Sequence, residues 1–492
     1  MLEGLLGTYL PCPRFLSLTQ EVEDQKTPLM GLMVHPPLLS VPCRPDFVNS
    51  FDSLLHTRLS PRRMLRKMLD IGCISRRDVS SRTVFFPQGR PSGGEMEMAN
   101  ALRKQVEGMR DWLVEIRRTI HMHPELGFEE VETSKLVAGW LERFGLEVRK
   151  GWAKTGVVGL LTGQRPGKTI GIRADMDALP LEEANIVPYA SKEKGKMHAC
   201  GHDVHVAILL GVAKFFSYIP NQVKGNIKWI FQPAEEGGGG GRVMVDEGVL
   251  DSPKVDAIFA THVFPFLSTG KVGIYEREAL AAMDRFNIRV IGKGAHAATP
   301  HVSKDPILAA GHLITQLHSI VSRNVDPLDS AVITIGEVHG GTAFNVIPDT
   351  VELSGSIRAL SPQVRLELKR RIEQITQGIG SSYAVDYRLN FEDGYPALVN
   401  EPEMSHLVAS ACAKGIGMEN VEVLRPFMGS EDFAYYLQRC PGSFFRLGVR
   451  NETKGIIHSS HSSLFDVDEE VLPFGVEMFV RIIDQYLELG LT

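Results

Sequence analysis

The chain has 492 residues, too many for one compact core, so two or three domains are expected. Its composition, 43% hydrophobic and 23% charged, is that of a globular protein, and a net charge of −6 gives no reason to expect nucleic acid or an anionic membrane as partner. No apolar run approaches the roughly 18 residues of a spanning helix, and the first residues lack the basic start of a secretory signal, which leaves a cytoplasmic location as the default.

Residues 1 to about 95 stand apart. They hold ten of the 28 prolines and three of the six cysteines, with no sustained helical or strand period. With 12 Lys and Arg against nine Asp and Glu they carry +3, and the remainder carries −9. This reads as a disordered or non-native extension, and the basic run from Arg58 to Arg77 as solvated charge. The regular pattern begins after Met96 and Met98, either of which suits a start of translation.

From Met98 the character changes. Leu102, Val106, Met109, Leu113, Ile116 and Ile120, spaced 4, 3, 4, 3, 4, form the stripe of an amphipathic helix. A second helix over about 133–144 ends at Gly145, a suitable cap. Strands are expected at 156–162, 169–173 and 227–231, a helix at 204–217, and a further apolar strand ending at His262. Alternating strands and helices predict an α/β sheet, with chemistry gathered at strand ends.

Residues 283–392 form a different unit, reading strand 283–292, helix 304–323, strand 330–338, strand 349–358, helix 361–378 and strand 383–391. This is the β-α-β-β-α-β order of a ferredoxin-like domain. The α/β pattern then resumes with a helix near 402–414, a strand 421–425, a helix 431–438, a strand 443–449 and a closing helix after Asp468. The smaller domain is therefore inserted into the larger one, over 98–280 and 395–492. Ala281, Ala282, Gly394 and Pro396 are hinge candidates.

The chemistry centres on Met197–His205, M-H-A-C-G-H-D-V-H, which packs three histidines, a cysteine and an aspartate into nine residues. So dense a set of soft and borderline donors points to a metal. The six cysteines show no disulfide spacing, so Cys200 is free to act as a thiolate ligand. Cys200 and His202 stand just before a helix, where they can converge on one site; a buried cysteine and a hydrogen-bonded core histidine are the alternatives. Glu235-Glu236 closes an apolar strand, and adjacent carboxylates there need a cation or a proton between them, unless they are a surface acidic pair. One would bind metal while its neighbour acts as general base. His262 is a further ligand candidate or a structural strand-end histidine. His461 and His458 compete for one role, and spacing does not choose between them. Asp175 either orients a ligand histidine or pairs with Arg173.

Together these motifs resemble a known family. G-I-R-A-D-M-D-A-L-P, K-M-H-A-C-G-H-D-V-H, F-Q-P-A-E-E-G, G-K-G-A-H-A-A-T-P-H, F-N-V-I-P-D and M-G-S-E-D-F, in that order from about Arg117 onward, look like the metal-dependent amidohydrolases that include hippurate hydrolase, N-acyl-amino-acid deacetylases and auxin-amino-acid conjugate hydrolases. The resemblance implies an α/β, mixed-sheet, zinc-peptidase-like catalytic domain with an inserted ferredoxin-like dimerisation or lid domain. It implies two divalent ions, manganese or zinc with cobalt or nickel as further options, held by Cys200, His202, Glu236, His262 and His461. It selects His461 over His458 through the following Phe465 and Asp468-Glu469. Glu235 is then the catalytic acid/base in the hydrolysis of N-acyl (acetyl, benzoyl or similar) amino acids by metal-activated water. By the same resemblance His296 would stabilise the oxyanion, unless it is a plain strand-end histidine, with a homodimer or higher homo-oligomer formed through the inserted domain; Arg358 and Asn345, on or beside strands of that domain, are candidates for holding the substrate, with a surface strand arginine as the alternative. Ala260-Thr261, where the family usually has Gly-Leu, and Ser463, where it often has proline, are departures. The rival readings are a dipeptidase or carboxypeptidase on the same architecture, or a non-catalytic metal- or amino-acid-binding protein.

Overall fold

The computed structural model describes residues 93–491; the expectations for residues 1–92 lie outside them. Regular structure begins slightly ahead of Met96, with α1 (Gly93–Glu107), followed by α2 (Arg110–Met122). The stripe predicts one helix here and the structure has two. At Gly108 the helix tightens into a Met109 N–H to Val106 C=O bond of 2.9 Å, and glycine adds nothing to hold the helical path. All six stripe residues are nevertheless buried, because the break leaves the apolar face pointing one way. The next helix, α3 (Val131–Arg143), ends as expected beside Gly145, whose φ of +76° suits glycine.

The chain continues through β1 (Glu147–Trp152), β2 (Gly156–Thr162), β3 (Arg165–Asp175), α4 (His202–Ser217), β4 (Lys224–Gln232), α5 (Gly240–Asp246), β5 (Ala257–Ser268), β6 (Val272–Ile274) and β7 (Glu278–Leu280). Then come β8 (Ala282–Ile291), β9 (Ala295–His296), α6 (Pro306–Asn324), β10 (Ala331–Gly340), β11 (Val346–Ile347), β12 (Thr350–Ala359), α7 (Pro362–Tyr383) and β13 (Asp386–Glu392). It closes with β14 (Leu398–Val399), α8 (Pro402–Ile416), β15 (Val421–Val423), α9 (Ala434–Leu437), β16 (Gly442–Arg450) and α10 (Val471–Leu487). The helix expected at 431–438 is thus only one turn.

The large sheet has the order β1-β2-β4-β3-β5-β16-β6-β15 and is mixed. Its centre, β4-β3-β5-β16, is parallel, while β1, β2 and the β6–β16 pair are antiparallel. Fourteen of the sixteen residues of α4 are buried, which a helix apolar on all sides requires. It packs on α2, α10 and β3. Each buried Leu, Ile, Val or Phe there contributes roughly 1.5–3 kcal/mol. The second sheet, β10-β12-β8-β13, is wholly antiparallel. Its inner face meets α6 and α7 around Phe286, Ile288, Leu313, Leu353 and Leu368, a core distinct from that of the large sheet.

One strand differs from its expected length in a way that affects the site. The apolar run before His262 predicts a strand ending there, but β5 continues to Ser268. Its pairing with β3 stops at Arg173–Ala260, whereas its pairing with β16 runs on. His262 therefore lies just beyond the last residue pair between β3 and β5 while still inside a strand.

Candidate metal centre and acid/base site

The parallel strands β3, β4 and β5 deliver their C-terminal ends to one edge of the sheet, where open α/β sheets place their chemistry. From β3 comes Arg173, fully buried, its guanidinium divided among Asp175 Oδ2 at 2.6 Å, Asp432 Oδ1 at 2.8 Å, Glu431 Oε1 at 3.0 Å and Gln232 Oε1 at 2.9 Å. A buried cation is tolerable only with such partners. Of the two roles left open by the sequence, Asp175 takes the pairing with Arg173, and the histidine it bonds is not one of the expected ligands. Its Oδ2 pairs with Arg173, and its Oδ1 accepts from His205 Nδ1 at 2.5 Å.

The loop before α4 supplies the next donors. Gly201 sits at φ +88°, and a Cβ there would come within 2.5 Å of Val263 Cγ2 on β5, so only glycine lets this turn lie against that strand. The turn brings Cys200 Sγ to 3.2 Å from His262 Nε2. His262 Nδ1 donates to the Val263 carbonyl at 2.7 Å, and His202 Nδ1 donates to the Asp177 carbonyl at 2.8 Å. A carbonyl can only accept, so both rings carry a proton on Nδ1 and turn Nε2 toward the centre. His202 Nε2 is buried with no hydrogen-bond partner.

Glu235 and Glu236 follow β4. The Glu236 amide donates to Asp177 Oδ2 at 2.8 Å, and its Oε1 lies 3.1 Å from His461 Nε2, without the alignment of a hydrogen bond. His461 adopts φ +64°, uncommon for a non-glycine residue, and its amide is held by the Ala199 carbonyl at 2.8 Å. Donor atoms of Cys200, His202 and His262 lie within 4.8 Å of one another, as do those of Cys200, Glu236 and His461, and those of His202, Glu235 and Glu236. The triads share Cys200, His202 and Glu236, so the five expected ligands form one continuous set, and half-buried His458 belongs to none of these triads.

The donor set fits divalent metal. It is a thiol, three imidazoles and a carboxylate, with two buried orphan atoms, His202 Nε2 and Glu236 Oε1, aimed into it. Its electrostatics call for positive charge. The nearby Cys200 and Glu236 draw the His461 imidazolium up to about 10. Burial and Glu236 push the Cys200 thiol up, so it needs a cation to become a thiolate. Burial, then His205 and Arg446, hold His262 well below the usual histidine range, neutral as a ligand must be.

Glu235 has a different setting. Burial first, then the carboxylates Glu431, Glu236 and Asp432, push its carboxyl well above the ordinary glutamate range. It is a buried acid able to hold a proton beside the donor set.

Three expected residues stand elsewhere. His296 and Asn345 are exposed on the adjoining β9 and the loop before β11, with His296 Nδ1 accepting from the Ala298 amide at 3.0 Å. Arg358, half-buried on β12, donates to the Met428 carbonyl at 3.0 Å. The other members of the 197–205 cluster divide as well. Asp203 is bound by Arg117 and His121, and His198 is buried without a hydrogen-bond partner and pushed down to about 4 by burial. Sequence reasoning gave no role to Glu431 and Asp432, and of the two carboxylates in Arg173-Ala-Asp175-Met-Asp177 it preferred Asp175 to Asp177. Their signal is an acid inside an otherwise apolar stretch, R-A-D-M-D and E-D-F-A-Y-Y-L, which marks a carboxylate that tertiary contacts must neutralise.

A mixed α/β sheet that carries such a donor set at its strand ends, with a buried carboxyl beside it, defines the class of metal-binding hydrolases. The chain belongs to peptidase family M20/M25/M40, whose pattern matches residues 171–485. It is 44% identical over 382 residues to IAA-amino acid hydrolase ILR1-like 4 of Arabidopsis thaliana, covering 77% of this chain and 86% of that one. It is 42% identical over 384 residues to thermostable carboxypeptidase 2 of Saccharolobus solfataricus, covering 77% and 96%. Among solved structures, it resembles the Bacillus subtilis YXEP protein, a dinuclear metal binding peptidase, with TM-score 0.68 and 34% identity over 78% of this chain and 99% of that one. The resemblance of its motifs to amidohydrolases of the aminoacylase type is thereby supported across the catalytic sequence.

Proposed function

We propose that the protein hydrolyses the amide bond of N-acyl amino acids, releasing a carboxylic acid and a free amino acid. The observation that carries this reading is Glu235, a buried carboxyl with a raised pKa set directly beside the Cys200, His202, Glu236, His262 and His461 donors. Two divalent ions held by those five side chains, manganese or zinc with cobalt or nickel as further options, would acidify water from a pKa of ~16 toward about 7 and stabilise a developing oxyanion. Glu235 takes the proton of the attacking water as its oxygen bonds to the acyl carbon. It then gives that proton to the amide nitrogen as the C–N bond breaks. Asp175, fixed by Arg173, orients His205, and the Asp177 carbonyl orients His202.

In this reading residues 283–392 are an inserted ferredoxin-like lid or dimerisation domain between catalytic segments 98–280 and 395–492. The β-α-β-β-α-β order and separate core of the smaller sheet support it. His296 and Asn345, exposed in one chain, would then act on substrate when the domain closes or a second copy packs against it, with Arg358 near the substrate carboxylate. The similarity to an amino-acid conjugate hydrolase supports the N-acyl class. The nearly equal similarity to a carboxypeptidase favours a second reading, cleavage of peptide C-terminal residues.

The test is turnover by metal-reconstituted enzyme on N-acetyl and N-benzoyl amino acids beside dipeptides and longer peptides. Faster release from the N-acyl compounds is expected. Preference for peptides selects the second reading. Glu235→Gln should lower turnover about 10²–10⁴-fold while bound metal is unchanged. Near-normal turnover in that variant removes Glu235 from the acid/base role.

A further inference from the structure

The chain leaves the large sheet for the smaller one at residues 281–284 and returns at 393–396. The two crossings lie side by side. The Met283 amide donates to the Tyr395 carbonyl at 3.0 Å, and the Gly394 amide donates to Asp284 Oδ1 at 2.9 Å. Asp284 is fully buried, and Arg365 and Lys369 of α7 reach it at 2.7 and 2.9 Å, so this pair of segments is fastened to the smaller unit.

From the returning segment, the side chain of Tyr395 extends the other way, into the loop that carries Glu235. Its hydroxyl donates to the Glu235 carbonyl at 2.5 Å and lies within hydrogen-bond distance of the amides of Gly237 at 3.0 Å and Gly239 at 3.1 Å. A phenol has one proton and two lone pairs, and here all three are used on five consecutive residues. The loop has particular need of such a clip. Ala234, Gly237 and Gly239 stand at φ +54°, +90° and +64°, so neither helix nor strand bonding shapes it. Tyr395 is 7% exposed, and burial, with Asp432 and Glu235 nearby, holds its phenol neutral and able to donate.

We propose that Tyr395 is a positioning residue that ties the placement of Glu235 to the orientation of the smaller unit. One residue bonds through its backbone to the hinge and through its hydroxyl to the acid/base loop, so rotation of the 283–392 unit moves the carbonyl of Glu235. The idea rests on the reading of Glu235 as the acid/base. A displacement of about 1 Å at such a group lowers turnover on the order of 10²-fold.

The experiment is a double-mutant comparison of Tyr395→Phe, Glu235→Gln and both together, reading kcat, KM and bound metal. Tyr395→Phe is expected to lower kcat about 10–100-fold with KM within about twofold and metal unchanged. In the Glu235→Gln background it should have no further effect. Wild-type kcat in Tyr395→Phe with an inactive Glu235→Gln overturns this proposal alone. Full turnover in Glu235→Gln overturns the acid/base reading and this proposal with it. Additive losses, or a change confined to KM or metal content, place Tyr395 in another role and also overturn it. Should Tyr395→Phe fail to fold, amide exchange in the native protein decides. Peptides covering 235–241, 281–284 and 393–396 should open together, and independent opening overturns the coupling.

Discussion

The rings of His205 and His262 stand 4.7 Å apart, yet their hydrogen bonds give them opposite roles around a single residue, Val263. The Val263 amide donates to His205 Nε2 at 2.9 Å, while the Val263 carbonyl accepts from His262 Nδ1 at 2.7 Å. With Asp175 on its other nitrogen, His205 has no lone pair left for a metal, and His262 has one directed at Cys200. His262→Ala should therefore lower the metal bound per chain even at saturating metal. His205→Gln should keep full loading at saturation but weaken affinity about 10–100-fold. Elemental analysis after titration distinguishes them, and equal loss of capacity in both variants refutes the division.

Arg173 is the shared cationic partner of three buried carboxyl groups. Replacing it with Met leaves Asp175, Asp432 and Glu431 without their shared cation, and removal of one partner from such a network destabilises by about 3–5 kcal/mol. Urea unfolding should show the loss, and a midpoint close to that of the wild type contradicts the assignment.

Glu130, outside the expected ligand set, introduces a pH dependence of its own. Burial raises its carboxyl from 4.5 to about 7, against the hydrogen bonds it accepts from Thr155 at 2.6 Å and the Ala234 amide at 2.9 Å. The folded state thus holds this proton more tightly than the unfolded chain. The resulting stability is fully present below pH 4.5 and is lost as pH rises through about 7, on the order of 3 kcal/mol in all. Glu130→Gln should flatten the change in unfolding midpoint between pH 5 and pH 8. An unaltered slope assigns that pH dependence to other groups.

Gly201→Ala combines a positive φ with a 2.5 Å approach to Val263. The substitution should destabilise by about 1–3 kcal/mol and, because Cys200 and His202 flank it, reduce metal loading. Thermal unfolding and metal analysis on the same preparation test this; a variant with unchanged loading shows that the turn can relax without moving its neighbours.

Much of the fold was legible in local pattern. The 283–392 unit follows its expected elements to within about five residues, because strand patterns depend on side chains two positions apart and amphipathic helices on side chains three or four apart. Cys200, His202, Glu235, Glu236, His262 and His461 were legible as chemistry, since donors of that kind are seldom gathered in apolar surroundings without reason. Which of them meet was decided only by the order β4-β3-β5-β16. That order brings Gln232, Arg173 and His262 to one edge and lets Glu431 and Asp432 reach them across more than 250 residues from β3. His202 and His205 lie three residues apart on one helix and look equivalent in the sequence. The Asp177 carbonyl holds one ring by Nδ1 and leaves its Nε2 without a hydrogen-bond partner, and Asp175 with the Val263 amide occupies both nitrogens of the other. Hydrogen-bond partners come from distant strands, so only the tertiary structure could assign them.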